Sequence, residues 1–186
     1  DARTESAGEW MKSKPITKVL MNPPYEHKYG CMTIVENVLD NVPAHTQCAF
    51  ILPDKKLEKA SKAQIKRILK NHRLRKVIKL PEDLFFGIGI TTSIFVFEAG
   101  VGQDGKEFFA CYMESDGLAT VKNKGRHDIY RKWAAIEAHW VEVMEKQSGD
   151  NTCQWIDPTE HLSYQMPQKP FEIFEEDFRK TAIDYL

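Results

Sequence analysis

Short apolar runs alternate with helical stripes along the first two thirds of the chain. Residues 18–22, with Val19, Leu20 and Met21, read as a buried strand. Residues 31–42 place Met32, Val35, Val38, Leu39 and Val42 at helical spacing, with Glu36, Asn37 and Asp40 off that face. The run CAFILPD, residues 48–54, is continuously apolar and ends at a proline, which suits a strand buried on both faces. A helix over 62–72 would turn Ile65, Ile68 and Leu69 inward and its basic residues outward. KVIKLP (76–81) is a further short strand stopped by proline. TTSIFVFE (91–98) is rich in β-branched and aromatic residues, and EFFACYM (107–113) returns as a strand after the loop AGVGQDG. Strand, helix, strand, helix, strand predicts a parallel sheet with right-handed crossovers. The last two strands are too close in sequence for a crossover, which predicts an antiparallel hairpin between them.

The rest of the chain differs. Tyr130, Trp133, Ile136, Trp140 and Val143 follow helical spacing across 129–147, and SGDN ends that helix. Trp155, Pro158, Pro167 and Pro170 mark an irregular stretch, followed by a short helix near 175–183. The expected organisation is therefore an α/β unit over 1–113 and a helical C-terminal extension over 114–186. The aromatic residues of the extension read as a packing stripe, and no catalytic constellation follows residue 105.

Apolar content of 42% and charged content of 28% in 186 residues suit one globular domain with a substantial core. No stretch is long and apolar enough for a transmembrane helix, and no signal-peptide pattern opens the chain. The four cysteines (Cys31, Cys48, Cys111, Cys153) form no C-x-x-C pair and read as reduced cytosolic thiols. The six histidines show no ligand spacing, so no metal is expected.

The net charge of −1 hides an asymmetry. Residues 55–79 carry eleven Lys or Arg and one acid, Glu58, a local charge of +10 that leaves −11 for the remainder. So one-sided a segment points to a polyanionic partner, with nucleic acid weighed against a merely solvated face.

One turn is chemically unusual. The first strand runs into Asn22-Pro23-Pro24-Tyr25. Neither proline can donate a ladder hydrogen bond, so the strand must end there. Each proline also keeps the preceding residue extended, which yields a stiff corner bearing an amide and an aromatic ring. A simple strand terminator needs no such side chains. In a parallel α/β sheet, ligands sit at the carboxyl ends of strands. NPPY, LPDKK and LPEDLFFGIG all follow strands at that edge, and GIGITTS enters the next strand from the same side. GIG alone opens no helix and is no phosphate-binding fingerprint.

The tetrapeptide resembles the N/D-P-P-Y/F/W motif of amino-group DNA methyltransferases. The wider run NPPY … CAFILPD … VIKLPEDLFFGIGITTSIFVFE is similar to the methylation subunit of type I restriction-modification systems, the N-6 adenine class, over residues 18–98. The resemblance implies the second half of a Rossmann-like S-adenosylmethionine-dependent methyltransferase sheet. It implies a site-specific adenine DNA methyltransferase in the cytoplasm, working with DNA, a specificity subunit and a restriction subunit. It makes Asn22, Pro23, Pro24 and Tyr25 the catalytic candidates. Asn22 and the Pro23 carbonyl would accept the two amino hydrogens of adenine, and Tyr25 would stack on a flipped base. Lys55, Lys56, Lys62 and Lys66, with Thr91 and Thr92, are the candidate nucleic-acid contacts. The family's glycine-rich cofactor loop and following acid have no counterpart before Asn22. The chain, which starts with Asp, is therefore expected to be an excised piece, inactive alone and unable to bind S-adenosylmethionine well. A bare strand edge next to residues 18–22 should follow, open to pairing with a second copy in a homodimer. The competing expectation is a non-catalytic DNA- or partner-binding module built on the same fold.

Overall fold

The computed structural model describes residues 1–25, 30–82, 84, 85 and 89–167. The short helix expected near 175–183 lies outside them. The elements in chain order are α1 (Glu5–Lys12), β1 (Lys18–Met21), α2 (Cys31–Asn41), β2 (Gln47–Pro53), α3 (Lys62–Asn71), β3 (Arg73–Lys79), β4 (Thr92–Glu98), β5 (Phe108–Tyr112), β6 (Ala119–Val121), β7 (Gly125–His127), α4 (Trp133–Lys146) and β8 (Cys153–Ile156).

Six strands form one sheet in the order β1-β2-β4-β3-β5-β8. β1 runs parallel to β2, and β5 parallel to β3. β4 is inserted between β2 and β3 and is antiparallel to both. The expected antiparallel hairpin is present, but its strands are β3 and β4. The strands at 92–98 and 108–112 are not neighbours, because β3 lies between them. The connecting loop passes beneath the start of β3 and is stitched there. Gln103 Oε1 accepts from Leu74 N–H at 2.7 Å, and the Gln103 N–H donates to the Leu69 carbonyl at 2.9 Å. A short connection can thus reach the far side of β3 because β4 delivers the chain to the edge where β3 begins.

Two apolar layers flank the sheet. Phe50, Leu52, Val77, Phe95 and Phe97 meet Val35, Val38 and Leu39 of α2 and Ile68 of α3 on one face. Phe50 and Phe97 pack edge to face with centroids 6.2 Å apart. On the other face, Ile78, Leu80, Phe109 and Cys111 pack under Trp140, Val143 and Met144 of α4. That second layer touches β2 at Ile51 and leaves β1 uncovered. β2 alternates buried and half-buried positions instead of being buried on both faces. Leu20 of β1 is 77% exposed, and Leu20, Ala49, Val96 and Met144 border an open apolar groove of about 480 Å³. Among the described residues β1 has one strand neighbour, β2, so the open edge expected beside residues 18–22 is there.

α1 begins at Thr4, whose Oγ1 accepts from the Ala7 N–H, and it packs on α2. Gly8 allows the close approach, since a Cβ there would come within 2.8 Å of the Asn41 side chain. β8 adds the sixth strand from beyond residue 113, within the stretch expected to be irregular. The chain then returns across the sheet, burying Leu162, Ser163 and Tyr164. No helix among the described residues is long and apolar enough to cross a membrane.

Candidate active site at the carboxyl edge of the sheet

The prolines end β1 as their chemistry requires. Asn22 is exposed, Pro23 buried, Pro24 exposed and Tyr25 half-buried. Within the corner the Tyr25 Oη donates to Asn22 Oδ1 at 2.7 Å. Burial pushes the Tyr25 phenol up, and nearby Cys31 adds in the same direction, so the hydroxyl stays protonated and keeps its donor role at neutral pH. An amide oxygen carries two lone pairs. The tyrosine engages one of them and fixes the amide's orientation, which leaves the second for a ligand. Residues 26–29 of the loop lie outside the described residues. The chain re-enters at Gly30, whose left-handed φ of 61° turns it into α2.

A cleft of about 360 Å³ opens where α2 and α3 begin. Cys31, Thr33, Lys56, Lys59, Ser61 and Gln64 line it. Burial raises the Cys31 thiol, and the Lys56 charge only partly offsets this, so Cys31 is a neutral lining group and no nucleophile. Through Cys31 the cleft adjoins both Tyr25 and Lys56. Lys59 belongs to the basic run read from the sequence, whereas Ser61 and Gln64 were not singled out, their signal being proximity to the LPDKK loop.

That loop is held by a polar row across the sheet. Ser93 Oγ donates to Asp54 Oδ1 at 2.9 Å, and Lys79 Nζ lies 3.5 Å from Asp54 Oδ2. The Lys79 side chain is 5% exposed, and its ammonium sits 5.4 Å from the centroid of the Tyr112 ring. The Asp54 N–H donates to the Thr91 carbonyl at 2.9 Å, joining the loop after β2 to the residue before β4. Lys55 then adopts φ 58°, which projects the loop outward.

The basic run divides into two groups. Lys55, Lys59, Lys62, Lys66, Arg67 and Lys70 are exposed and Lys56 half-buried, on the loop after β2 and on α3. The members on β3 have structural partners. Arg73 donates to the Gly102 carbonyl, Arg75 pairs with Glu98, Lys76 Nζ donates to the Met144 carbonyl and Lys79 pairs with Asp54. Arg67 on α3 is also engaged, pairing with Glu36 of α2 at 2.9 Å. The expectation of one basic surface over 55–79 therefore contracts to the loop and α3. Lys55, Lys56, Lys62 and Lys66 all belong to that part. Thr91 is half-buried, whereas Thr92 is 1% exposed, so Thr92 offers no surface to a nucleic acid. Register explains this, because Thr92 pairs with Pro53 inside the sheet.

Residues 35–128 match the family described as N-6 DNA Methylase. The chain belongs to the N-6 DNA methylase family. The corner at 22–25 lies just before the matched segment. The type II restriction enzyme and methyltransferase RM.BcgI of Heyndrickxia coagulans is 26% identical over 197 residues, covering 95% of this chain and 30% of that protein. The chain thus spans about a third of the length of this relative. Two solved structures share the fold. One is a type I restriction-modification methyltransferase subunit from Streptococcus thermophilus, with TM-score 0.61 and 17% identity over 86% of this chain and 38% of that one. The other, from Listeria monocytogenes, is assigned to the class I S-adenosylmethionine-dependent methyltransferases, with TM-score 0.50 and 20% identity over 72% of this chain and 43% of that one. The α/β sheet with its inserted antiparallel strand accordingly has the Rossmann-like fold of the methyltransferases, and this member of the family carries its NPPY corner at the carboxyl edge.

Proposed function

We propose that this chain forms the base-holding part of a site-specific DNA adenine methyltransferase of a restriction-modification system, which moves a methyl group from S-adenosylmethionine to the exocyclic amino group of adenine. The observation that carries the reading is the rigid corner at the end of β1, where Tyr25 orients the Asn22 amide through a 2.7 Å hydrogen bond. The adenine amino nitrogen is a poor nucleophile because its lone pair is delocalised into the ring. Two acceptors that take both amino hydrogens localise that pair toward the methyl donor. Asn22 Oδ1 and the Pro23 carbonyl fill those roles, and Pro24 keeps the second of them extended. The Tyr25 ring gives an adenine turned out of the duplex a surface to stack on. Rate comes from positioning and needs no strong base.

The residues at the corner fit the acceptor side of this reaction and not the donor side. Among the described residues, the cleft beside it is lined by lysine, hydroxyl, thiol and amide groups and shows no carboxylate to take the donor's ribose hydroxyls. S-adenosylmethionine is therefore assigned to the whole enzyme. Isothermal titration of this chain with S-adenosylmethionine should show no one-site binding at low micromolar concentration, and such binding would place the donor site here.

DNA is the proposed polyanionic partner, contacted by Lys55, Lys56, Lys62 and Lys66. Each phosphate contact contributes about 0.9 to the slope of log affinity against log salt. Changing these four lysines to glutamate should weaken binding and flatten the slope by about 3 to 4. A slope unchanged by the substitutions would assign the lysines to a merely solvated face. A specificity subunit and a restriction subunit are proposed as protein partners, and a second copy of the chain as a partner for the open β1 edge. The protein is proposed to act in the cytoplasm.

The decisive experiment incubates the full-length protein with DNA and methyl-labelled S-adenosylmethionine, then analyses the nucleosides. Label in N6-methyladenine is expected. Label on cytosine, or salt-sensitive DNA binding with no transfer, would overturn the proposal, the latter in favour of a non-catalytic module.

A further inference from the structure

β5 and β8 set two cysteines face to face. Cys111 is directly opposite Cys153 in the antiparallel register. The next pair along, Tyr112 and Thr152, is hydrogen-bonded, with the Tyr112 N–H donating to the Thr152 carbonyl at 3.1 Å. Bonded and non-bonded pairs alternate in an antiparallel ladder. Cys111 and Cys153 are thus a non-hydrogen-bonded pair, and the Cys153 N–H turns to the Asp150 carbonyl instead, at 3.1 Å. At such pairs the Cα atoms approach to about 4.5 Å, inside the roughly 4.4–6.8 Å range that a disulfide spans. Opposite residues project from the same face of a sheet, and both cysteines belong to the apolar cluster beneath α4. Cys111 is buried there and Cys153 half-buried.

We propose that Cys111 and Cys153 are a redox-sensitive pair that closes to a cross-strand disulfide on meeting a low-molecular-weight disulfide of the glutathione class. Cys153, the more exposed, gives its proton to solvent, and its thiolate attacks one sulfur of the oxidant. The oxidant's S–S bond breaks, one thiolate leaves, and a mixed disulfide forms at Cys153. Cys111 then loses its proton and attacks Cys153 Sγ, and the second oxidant thiolate leaves. The two departing thiolates take up two protons. Two cysteine sulfurs are oxidised and two oxidant sulfurs reduced. Burial holds the Cys111 thiol up at about 12 and also raises that of Cys153, so closure is slow and belongs to oxidising conditions.

The cross-link would act on a segment that touches the candidate site. β8 leads into the stretch where the Leu162 N–H and Ser163 Oγ donate to Glu58 Oε1 at 3.2 and 2.7 Å. Tyr164 packs there on Tyr112, with centroids 5.9 Å apart. Closing the pair would pin that return segment beside the loop that bears Lys55 and Lys56. Cys31 and Cys48 belong to the cluster on the opposite face of the sheet and take no part.

The test treats the full chain with glutathione mixtures of rising oxidised fraction, then quenches with acid and alkylates the denatured protein. Two of the four thiols should disappear together. One peptide linking Cys111 to Cys153 should appear, and Tm should rise by roughly 10 °C. Reductant should reverse all three, and C153S should show none of them. A lasting glutathione adduct on Cys153 with Cys111 still free, a link through Cys31 or Cys48, or four free thiols in a mixture that oxidises a reference dithiol would each overturn the proposal.

Discussion

On the proposed acceptor mechanism, Asn22→Ala in the full-length protein should lower methyl transfer by about 10²–10³-fold, the range found when one fixed hydrogen-bonding partner of a transition state is removed. The loss falls on kcat. As the amino nitrogen bonds to the methyl group, its hydrogens become more acidic and the Asn22 oxygen binds them more strongly than in the ground state. Binding of DNA should change less, because the lysines proposed to contact it, after β2 and on α3, remain. Tyr25 separates into two contributions. Tyr25→Ala removes the stacking surface, at roughly 1–3 kcal/mol per base. Tyr25→Phe keeps the ring and loses only the hydrogen bond to Asn22 Oδ1, about 1 kcal/mol or several-fold in rate. Single-turnover kinetics with DNA in excess measure both quantities. Near-native turnover by Asn22→Ala would eliminate the acceptor mechanism. Equal losses in Tyr25→Phe and Tyr25→Ala would show that the hydroxyl, and not the ring, is what matters.

Asp54→Ala unfolds the protein at markedly lower denaturant. Asp54 and Lys79 are 12% and 5% exposed at the side chain and lie 3.5 Å apart. Removing the acid strands a buried ammonium beside the Tyr112 ring, and breaking a buried pair in this way costs about 3–5 kcal/mol. Ser93, buried completely, loses its acceptor as well. The double change of Asp54 to Leu and Lys79 to Met should recover most of the loss, since matched apolar replacements of a buried pair are often neutral. Chemical denaturation of the three variants provides the comparison. A single variant within about 1 kcal/mol of wild type, the upper range for exposed pairs, would mean that water screens the pair.

The parts of this protein that sequence determines are those governed by local chemistry. Two prolines must stop β1 at Asn22 whatever surrounds them. The 3.6-residue stripes of α2 and α3 must turn Val35, Val38 and Ile68 toward a core. The apolar runs at 48–54 and 92–98 have no stable alternative to burial. The ordered set of strand-end motifs then resembles that of the methyltransferase sheet, which makes the corner its candidate chemical centre.

Tertiary structure decided what depends on partners distant in the chain. Nothing local to 107–113 says that the strand will bypass β4 and align with β3, because that choice rests on Gln103 binding Leu74. β8 was hidden because CQWI carries a polar residue mid-strand and borders turns, and its identity as a strand comes only from pairing with β5. The basic run looked like one surface because sequence counts charges without their partners. Glu36, Glu98, Asp54 and the Met144 carbonyl are supplied by other elements, and each gives a cation of the run a partner within the fold. The bond from Tyr25 to Asn22 joins neighbours three residues apart, yet it too awaited the fold. The prolines stiffen the corner, but the half-burial of Tyr25 comes from the fold around it.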